Sequence, residues 1–217
     1  MRFVGRGEGG TRGEILQRVE GARLPVAAAR QVHSDRVVEA REGSCGEADA
    51  LWTARPGLVL SVITADCVPV VLASTGASVE SSTGNERSTA GGPVAAVHAG
   101  WRGLEAGVVL RAVEALPAAP ESLISWIGPA IGACCYEVGE EVAARVAAAS
   151  HPSVVTPGLR YRPHLDLPGA VRHQLLRAGV PAPRIVVRCT RCDAEALWSY
   201  RREGRGAGRN VTYVWIR

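Results

Sequence analysis

The chain contains no lysine: its 25 basic residues are all arginine, against 21 acidic residues. This absence excludes chemistry that needs a lysine amine, such as the phosphate-binding lysine of a P-loop or a Schiff base. Because arginine stands in for lysine throughout, the arginine count reflects biased composition. We therefore do not take it as evidence for a nucleic-acid partner, and the formal net charge of +4 is modest.

Long apolar runs are also missing. No stretch approaches the ~20 residues that cross a bilayer, and the first seven residues lack the apolar core of a secretory signal. We therefore expect a cytoplasmic protein without a membrane partner, whose six cysteines are packed, metal-binding or catalytic. The 217 residues, 47% hydrophobic and 21% charged, suit one globular domain spanning 1–217.

Apolar, β-branched runs predict strands that alternate with helices. Strands are predicted over 58–64, 68–72, 94–97, 122–127, 184–188 and 211–216. Helices are predicted over 104–116, over 138–149, and from an N-cap at Asp166 to a stop before Gly179. The segment 74–92 is rich in Ser, Thr and Gly, which predicts an exposed, flexible loop. The mixture predicts a single α/β domain.

Three residues that bind transition metals, His33, Cys67 and His98, are the first candidates for a functional site. They lie more than 30 residues apart, too far for a zinc finger. Imidazole and thiolate suit zinc or copper, and three protein ligands leave a fourth position for water or substrate. Spacing alone leaves open a plain alternative, in which the thiol is packed and each imidazole is hydrogen-bonded.

The local sequences favour a shared crevice at strand ends. The segment 98–103 (HAGWRG) follows an apolar strand, and its glycines permit close backbone approach. The N-terminus of the next helix favours an anion, and Arg102 could make a bidentate phosphate contact. Cys67 follows Asp66 at another strand-to-turn junction. The alternative is a structural turn in which Arg102 pairs with Asp66.

These segments resemble the signature blocks of the laccase-domain, or YfiH-like, family. The blocks are 31–33 (QVH), 48–51 (ADAL), 64–70 (TADCVPV), 98–103 (HAGWRG), 128–132 (GPAIG), 134–139 (CCYEVG), 189–190 (CT), 199–202 (SYRR) and 208–209 (GR). They occur in the family's order and cover about residues 25 to 217. One block alone could be chance, but the set is specific.

The resemblance implies a single-domain α/β fold, a four-layer α-β-β-α sandwich with mixed sheets. It implies a zinc ion bound by His33, Cys67 and His98, which would also serve catalysis. It further implies phosphorolysis of adenosine, inosine, guanosine and methylthioadenosine, and deamination of adenosine. The expected partners are a purine nucleoside and inorganic phosphate, and we expect a monomer or homodimer. Asp66 and Arg102 are the expected substrate or phosphate contacts, with Asp66 also a proton carrier in deamination.

The chain departs from the family at its start. Residues 3–10 resemble the family's Thr-Arg-x-Gly-Gly-like turn, whereas its Asn-Leu-Gly stretch is missing. Arg6 is therefore the third expected phosphate contact. A shortened start would remove part of the substrate wall, and the long 74–92 segment is a second departure.

Three rival functions remain open. Cys67 activated by His98 would make a metal-free cysteine hydrolase or amidase, in line with the family's link to editing of cytoplasmic peptidoglycan precursors. A copper-dependent polyphenol oxidase follows from the family's older labels, but five histidines are too few for type-1 copper plus a trinuclear cluster. A non-catalytic nucleoside-binding module is the third.

The remaining cysteines have several interpretations. Cys189 and Cys192 form a CxxC pair typical of a thiol-redox motif or half a zinc knuckle. A four-cysteine site with Cys134 and Cys135 is an alternative, but adjacent residues rarely bind one ion comfortably, so we favour packing. Cys45 has no evident role. The arginines of 201–209 favour a phosphate contact or a solvated hairpin over nucleic acid.

Overall fold

Two large β-sheets, a small two-stranded sheet and a layer of helices form the part of the chain that the computed structural model describes, residues 1–6, 24–75, 91–158 and 162–217. Most of the predicted loop at 74–92 and part of the 3–10 turn lie outside these residues. Within them, no helix combines the length and the apolar character that crossing a bilayer requires.

The strands and helices follow one another along the chain. The strands are β1 (Arg2–Val4), β2 (Val26–Arg30), β3 (Val37–Glu39), β4 (Gly43–Glu47), β5 (Ala50–Thr53), β6 (Val59–Thr64), β7 (Val68–Ser74), β8 (Val94–Ala99), β9 (Leu123–Ile127), β10 (Val155–Thr156), β11 (His164–Leu165), β12 (Arg184–Ile185) and β13 (Asn210–Val214). The α-helices are α1 (Trp101–Ala106), α2 (Val108–Ala115), α3 (Glu140–Ala149), α4 (Leu167–Arg177) and α5 (Tyr200–Glu203).

Both large sheets are mixed. The five-stranded sheet has the order β1-β13-β6-β2-β4, with parallel pairing of β2 to both β4 and β6. The six-stranded sheet has the order β12-β9-β7-β8-β5-β3, antiparallel in its centre and parallel at both edges. The predicted α/β class with mixed sheets is confirmed.

Alternation along the strands divides the core into layers. In β7, Val68, Val70 and Leu72 pack with the helices, whereas Val71 and Ala73 belong to the cluster between the two sheets. This follows from the two-residue period of a strand, which sends successive side chains to opposite faces. The helices, the six-stranded sheet and the five-stranded sheet are thus three of the predicted layers. The fourth predicted layer, a second layer of helices, stays a prediction.

The predicted central strands and the helix with the Asp166 cap are confirmed, with shifts of a few residues at their ends. The Asp166 side chain accepts a hydrogen bond from Gly169 N at 3.0 Å, as an N-cap should. The predicted helix over 104–116 is wrong in its bounds. Helix formation begins at Trp101 and breaks at Gly107, whose φ of 88° is left-handed. The predicted strand over 184–188 is shortened to Arg184–Ile185.

Candidate metal centre

Three strand ends of the six-stranded sheet meet at one edge. Ala50 at the start of β5 pairs with Val97, and Val68 at the start of β7 pairs with Ala99. Because β8 runs antiparallel to both neighbours, the residues that precede β5 and β7 lie beside its end. Asp49, Cys67 and His98 are therefore brought together by strand register.

His33 reaches the same edge from the loop between β2 and β3, and Asp49 holds that loop in place. The Asp49 carboxylate accepts hydrogen bonds from three successive backbone N–H groups, those of residues 32–34, at 3.2, 3.0 and 2.7 Å. It also accepts one from the Ser34 hydroxyl at 2.8 Å. These bonds fix His33 in the left-handed region, at a φ of 61°, which a non-glycine residue adopts only when its surroundings impose it.

The donor atoms of His33, Cys67 and His98 all lie within 4.8 Å of one another, so these three residues could hold a metal ion. The Cys67 Sγ is 3.8 Å from His33 Nε2, and the two imidazole rings meet edge to face with centroids 4.9 Å apart. His98 is buried, Cys67 half-buried and His33 exposed. The group thus rises from the core to the surface, which leaves it accessible to a small molecule.

Asp49 also orients His98, from which it accepts a hydrogen bond through Nδ1 at 2.7 Å. The carboxylate is almost fully buried. With Nδ1 engaged, Nε2 is the nitrogen left to a metal or a substrate. A carboxylate behind a metal-binding histidine is a common arrangement that fixes the ring and raises its basicity.

Gly100 leaves room for two of the three side chains. A Cβ atom on Gly100 would lie 2.9 Å from His33 Cδ2 and 3.0 Å from Cys67 Sγ. Real Cβ contacts are not this short, so only glycine fits here without displacing a ligand. The segment 98–103 therefore supplies both a ligand and the space for the other two.

Electrostatics pair Cys67 with His98. Burial raises the pKa of the Cys67 thiol, but hydrogen bonds from His33 and His98 outweigh it and lower the pKa to about 6. Burial lowers the pKa of His98, but hydrogen bonds to Asp49 and Cys67 outweigh it and raise the pKa to about 9. Without a metal the pair is a thiolate beside an imidazolium. A metal ion would displace the His98 proton, and a nucleophilic thiolate would use the pair as it stands.

Asp66, which sequence analysis placed among the substrate contacts, is held by the far end of the chain. Its carboxylate accepts hydrogen bonds from the Thr190 hydroxyl and from Arg201 N, both at 2.6 Å. Its φ of 88° is left-handed, like that of His33. Nothing in the described part of the chain joins Asp66 to Arg102 by a hydrogen bond or ion pair. The alternative turn built on that pair is therefore not what the structure shows.

Tyr136 lies within electrostatic range of Cys67 and of two arginines. Burial is the main reason that the pKa of Tyr136 is raised to about 12, and the charges of Cys67, Arg201 and Arg102 also act on it. The Arg201 guanidinium lies 5.0 Å above the Tyr136 ring. Arg102 is exposed, with its guanidinium 4.5 Å from the Trp101 ring centroid. The Tyr136 phenol therefore interacts electrostatically with the Cys67 thiol and with two cations.

Arg6 is engaged elsewhere. Its guanidinium forms an ion pair with Glu203 and lies 4.0 Å from the centroid of the Trp198 ring. Its backbone N–H donates to Ala196 O at 2.7 Å. A phosphate contact by Arg6 would have to compete with the Glu203 carboxylate.

Sequence analysis missed Asp49, Thr190 and Tyr136 as site residues, although each lies in a signature block. Asp49 carried a usable signal, because an acidic residue directly before a buried strand is a costly placement that calls for partners. Thr190 and Tyr136 carried none, since their relation to Cys67 depends on contacts more than 60 residues away along the chain.

The chain is similar to a described protein family and to solved structures. A family model described as multi-copper polyphenol oxidoreductase laccase matches residues 11–217. The chain belongs to this family. Among solved structures, a DUF152-family protein from Neisseria meningitidis superposes with a TM-score of 0.80 at 31% identity, covering 94% of this chain and 78% of that one. YlmD from Geobacillus stearothermophilus gives 0.80 at 27% identity, covering 94% and 80%.

Curated relatives of this laccase-family chain carry a different functional name. A Xylella fastidiosa protein named purine nucleoside phosphorylase is 41% identical over 176 residues, 78% of this chain and 61% of its own length. Purine nucleoside phosphorylase YfiH from Escherichia coli is 36% identical over 172 residues, 78% of this chain and 64% of its own. The chain thus spans a little over three fifths of the length of these relatives.

Proposed function

We propose that this chain is a purine nucleoside phosphorylase whose reaction takes place at a zinc ion bound by His33, Cys67 and His98. The observation that carries the proposal is the convergence of two imidazoles and one thiol within 4.8 Å at an accessible sheet edge. The relatives named purine nucleoside phosphorylase supply the reaction class. Adenosine, inosine, guanosine and methylthioadenosine are the proposed substrates.

The donor set favours zinc in a catalytic role. Two nitrogens and one sulfur leave one tetrahedral position open, as in catalytic zinc sites. A copper polyphenol oxidase fits less well, because a trinuclear cluster needs histidines that the structure places elsewhere. His151 and His173 stack on each other at a centroid distance of 4.4 Å, and His164 bonds to Ala133 O.

Phosphorolysis breaks the bond between the anomeric carbon and the purine nitrogen and forms a bond from that carbon to a phosphate oxygen. The sugar leaves as its 1-phosphate, and the proton that hydrogen phosphate loses ends on the purine nitrogen. A zinc ion at the site would supply Lewis-acid polarisation of a bound oxygen or nitrogen. In the transition state charge develops on phosphate, sugar and base, so fixed cations and donors beside the centre stabilise it.

Side chains near the centre have proposed roles in binding phosphate, donating a hydrogen bond and positioning Cys67. Arg102 and Arg201 are the proposed phosphate contacts, and protonated Tyr136 is the proposed hydrogen-bond donor. Arg6 would join them once released from Glu203. Because the Asp66 carboxylate is already occupied by two donors, we assign it to positioning Cys67. We also propose that the same centre deaminates adenosine, a reaction in which water replaces the amino group and ammonia leaves.

The test is an assay of the purified chain with each nucleoside, with and without inorganic phosphate. We expect release of free base that depends on phosphate and that is lost in Cys67→Ser. Cys45→Ser is the matched control, because Cys45 is a buried thiol outside the His-Cys-His group, hydrogen-bonded to Arg41 O. Inosine formed from adenosine without phosphate would establish the deaminase activity.

Two results would favour the rivals. Full turnover in protein stripped of metal would support a Cys67–His98 nucleophile and contradict the zinc role. Nucleoside binding in calorimetry without any product, under both conditions, would leave a binding module and contradict the phosphorylase proposal.

A further inference from the structure

Four cysteines outside the His-Cys-His group form a second cluster. Cys134 and Cys135 lie in the turn after β9, and Cys189 and Cys192 lie in the loop after β12. Their sulfur atoms all lie within 4.8 Å of one another. The Cys192 Sγ is 3.3 Å from that of Cys135 and 3.8 Å from that of Cys134. Sequence analysis favoured plain packing for these residues, but two are exposed and all four turn their sulfurs to one point.

The spacing matches one metal ion. A tetrahedral zinc–thiolate site with bonds of ~2.3 Å has sulfur atoms roughly 3.8 Å apart. The separations within the cluster bracket this value. They are too short for a group of several irons between the sulfurs, and longer than the ~2.05 Å of a disulfide.

The two loops are fixed to each other by their backbones. Ala130 forms a parallel bridge with Cys189, and Thr190 N donates to Ala130 O at 3.0 Å. Gly132 N donates to the Cys189 sulfur at 3.3 Å, the kind of N–H to sulfur bond that supports a metal-bound thiolate. Cys135 N and Tyr136 N both donate to Gly132 O, which closes a tight turn. This turn answers the objection to adjacent ligands, because it directs both neighbouring sulfurs to the CxxC loop.

The cluster also has a charge partner. Four thiolates around a divalent cation leave a net negative charge, which a nearby cation stabilises. Arg191, between the two cysteines of the CxxC pair, donates to the Cys135 sulfur at 3.6 Å.

We propose that Cys134, Cys135, Cys189 and Cys192 bind a zinc ion through four thiolates, distinct from the ion at the His-Cys-His centre. Four protein ligands leave no open position, so this ion is structural. It ties the loop at 189–193 to the turn after β9. Thr190 on that loop donates to Asp66, the neighbour of Cys67, so the ion also steadies the first centre.

The first test is metal analysis of the full chain, purified under reducing conditions from zinc-supplemented cells. We expect Cys134→Ser combined with Cys192→Ser to lose one equivalent of zinc per chain. Cys45→Ser should lose none. Cys67→Ser should retain the cluster ion, so failure of the proposed phosphorylase function would leave this result unaffected.

The second test needs no change in the cluster. Titration of metal-free Cys67→Ser protein with Co²⁺ should give a near-ultraviolet thiolate-to-cobalt band whose intensity corresponds to four thiolates per ion. Absence of this band would overturn the proposal. So would unchanged zinc in the double serine variant, stoichiometric iron in place of zinc, or a Cys135–Cys192 disulfide found by mass spectrometry in metal-free native protein.

Discussion

Replacing Asp49 by Asn tests the role of Asp49 in positioning the His-Cys-His centre. The carboxylate accepts a bond from His98 Nδ1 at 2.7 Å and bonds from the backbone of residues 32–34 at 3.2, 3.0 and 2.7 Å. An asparagine of the same shape keeps one acceptor oxygen and replaces the other by a donor, which faces N–H groups. It also removes the negative charge behind His98.

The expected loss follows from this geometry. Removing a residue that orients a metal ligand costs about 10- to 100-fold in metal affinity, which corresponds to about 1.4 to 2.7 kcal/mol. Zinc affinity would be measured by competition with a chelator in Cys134→Ser/Cys192→Ser protein, so that only the first centre is titrated. Asp166→Asn is the matched control, because Asp166 caps α4 through Gly169 N. A zinc affinity within about twofold of that of the double serine variant that keeps Asp49 would refute the role given to Asp49.

Three further substitutions test other contacts. Gly100→Ala should lower phosphate-dependent turnover about 10²-fold, because its methyl group would meet ligand atoms at 2.9 and 3.0 Å. Gly139→Ala is the control and should leave turnover unchanged, because the space around its Cβ is open. Equal activity in the two variants would contradict the crowding at Gly100. Thr190→Val should lower the free energy of unfolding, measured by urea denaturation, by about 1.5 to 3 kcal/mol, because it removes a buried hydrogen bond to a carboxylate. Thr156→Val is the control and should lower it far less, because Thr156 is exposed. Equal losses of stability in the two variants would count against the role of Thr190. Gly107→Ala should cost about 1 to 2 kcal/mol through its left-handed φ of 88°, measured by thermal unfolding, and an unchanged melting temperature would argue against strain there.

The central strands were predictable because their composition leaves little choice. The runs at β6 and β7 are rich in apolar, β-branched residues, and both faces of each are buried, which favours a strand. By contrast, β2 is mostly alanine and β4 contains glycine, serine and a charge. Their strand structure comes from pairing with neighbours, which local composition does not encode.

The same distinction applies to the site. Cys67 and His98 were predictable because each follows a strand-like run, and all three ligands lie in blocks that resemble one family. The role of Asp49 was not, because it depends on the register that sets β5 against β8. The cysteine cluster was not predictable, because only the turn at Gly132 shows how adjacent thiols face the CxxC loop.

The central claim is tested most directly by anomalous X-ray diffraction at the zinc absorption edge. The crystals are grown from protein that has been shown to cleave nucleosides. We expect an anomalous zinc peak within bonding distance of His33 Nε2, Cys67 Sγ and His98 Nε2, with a fourth coordination position open to solvent or substrate. Active protein with no anomalous peak among these three atoms would contradict it.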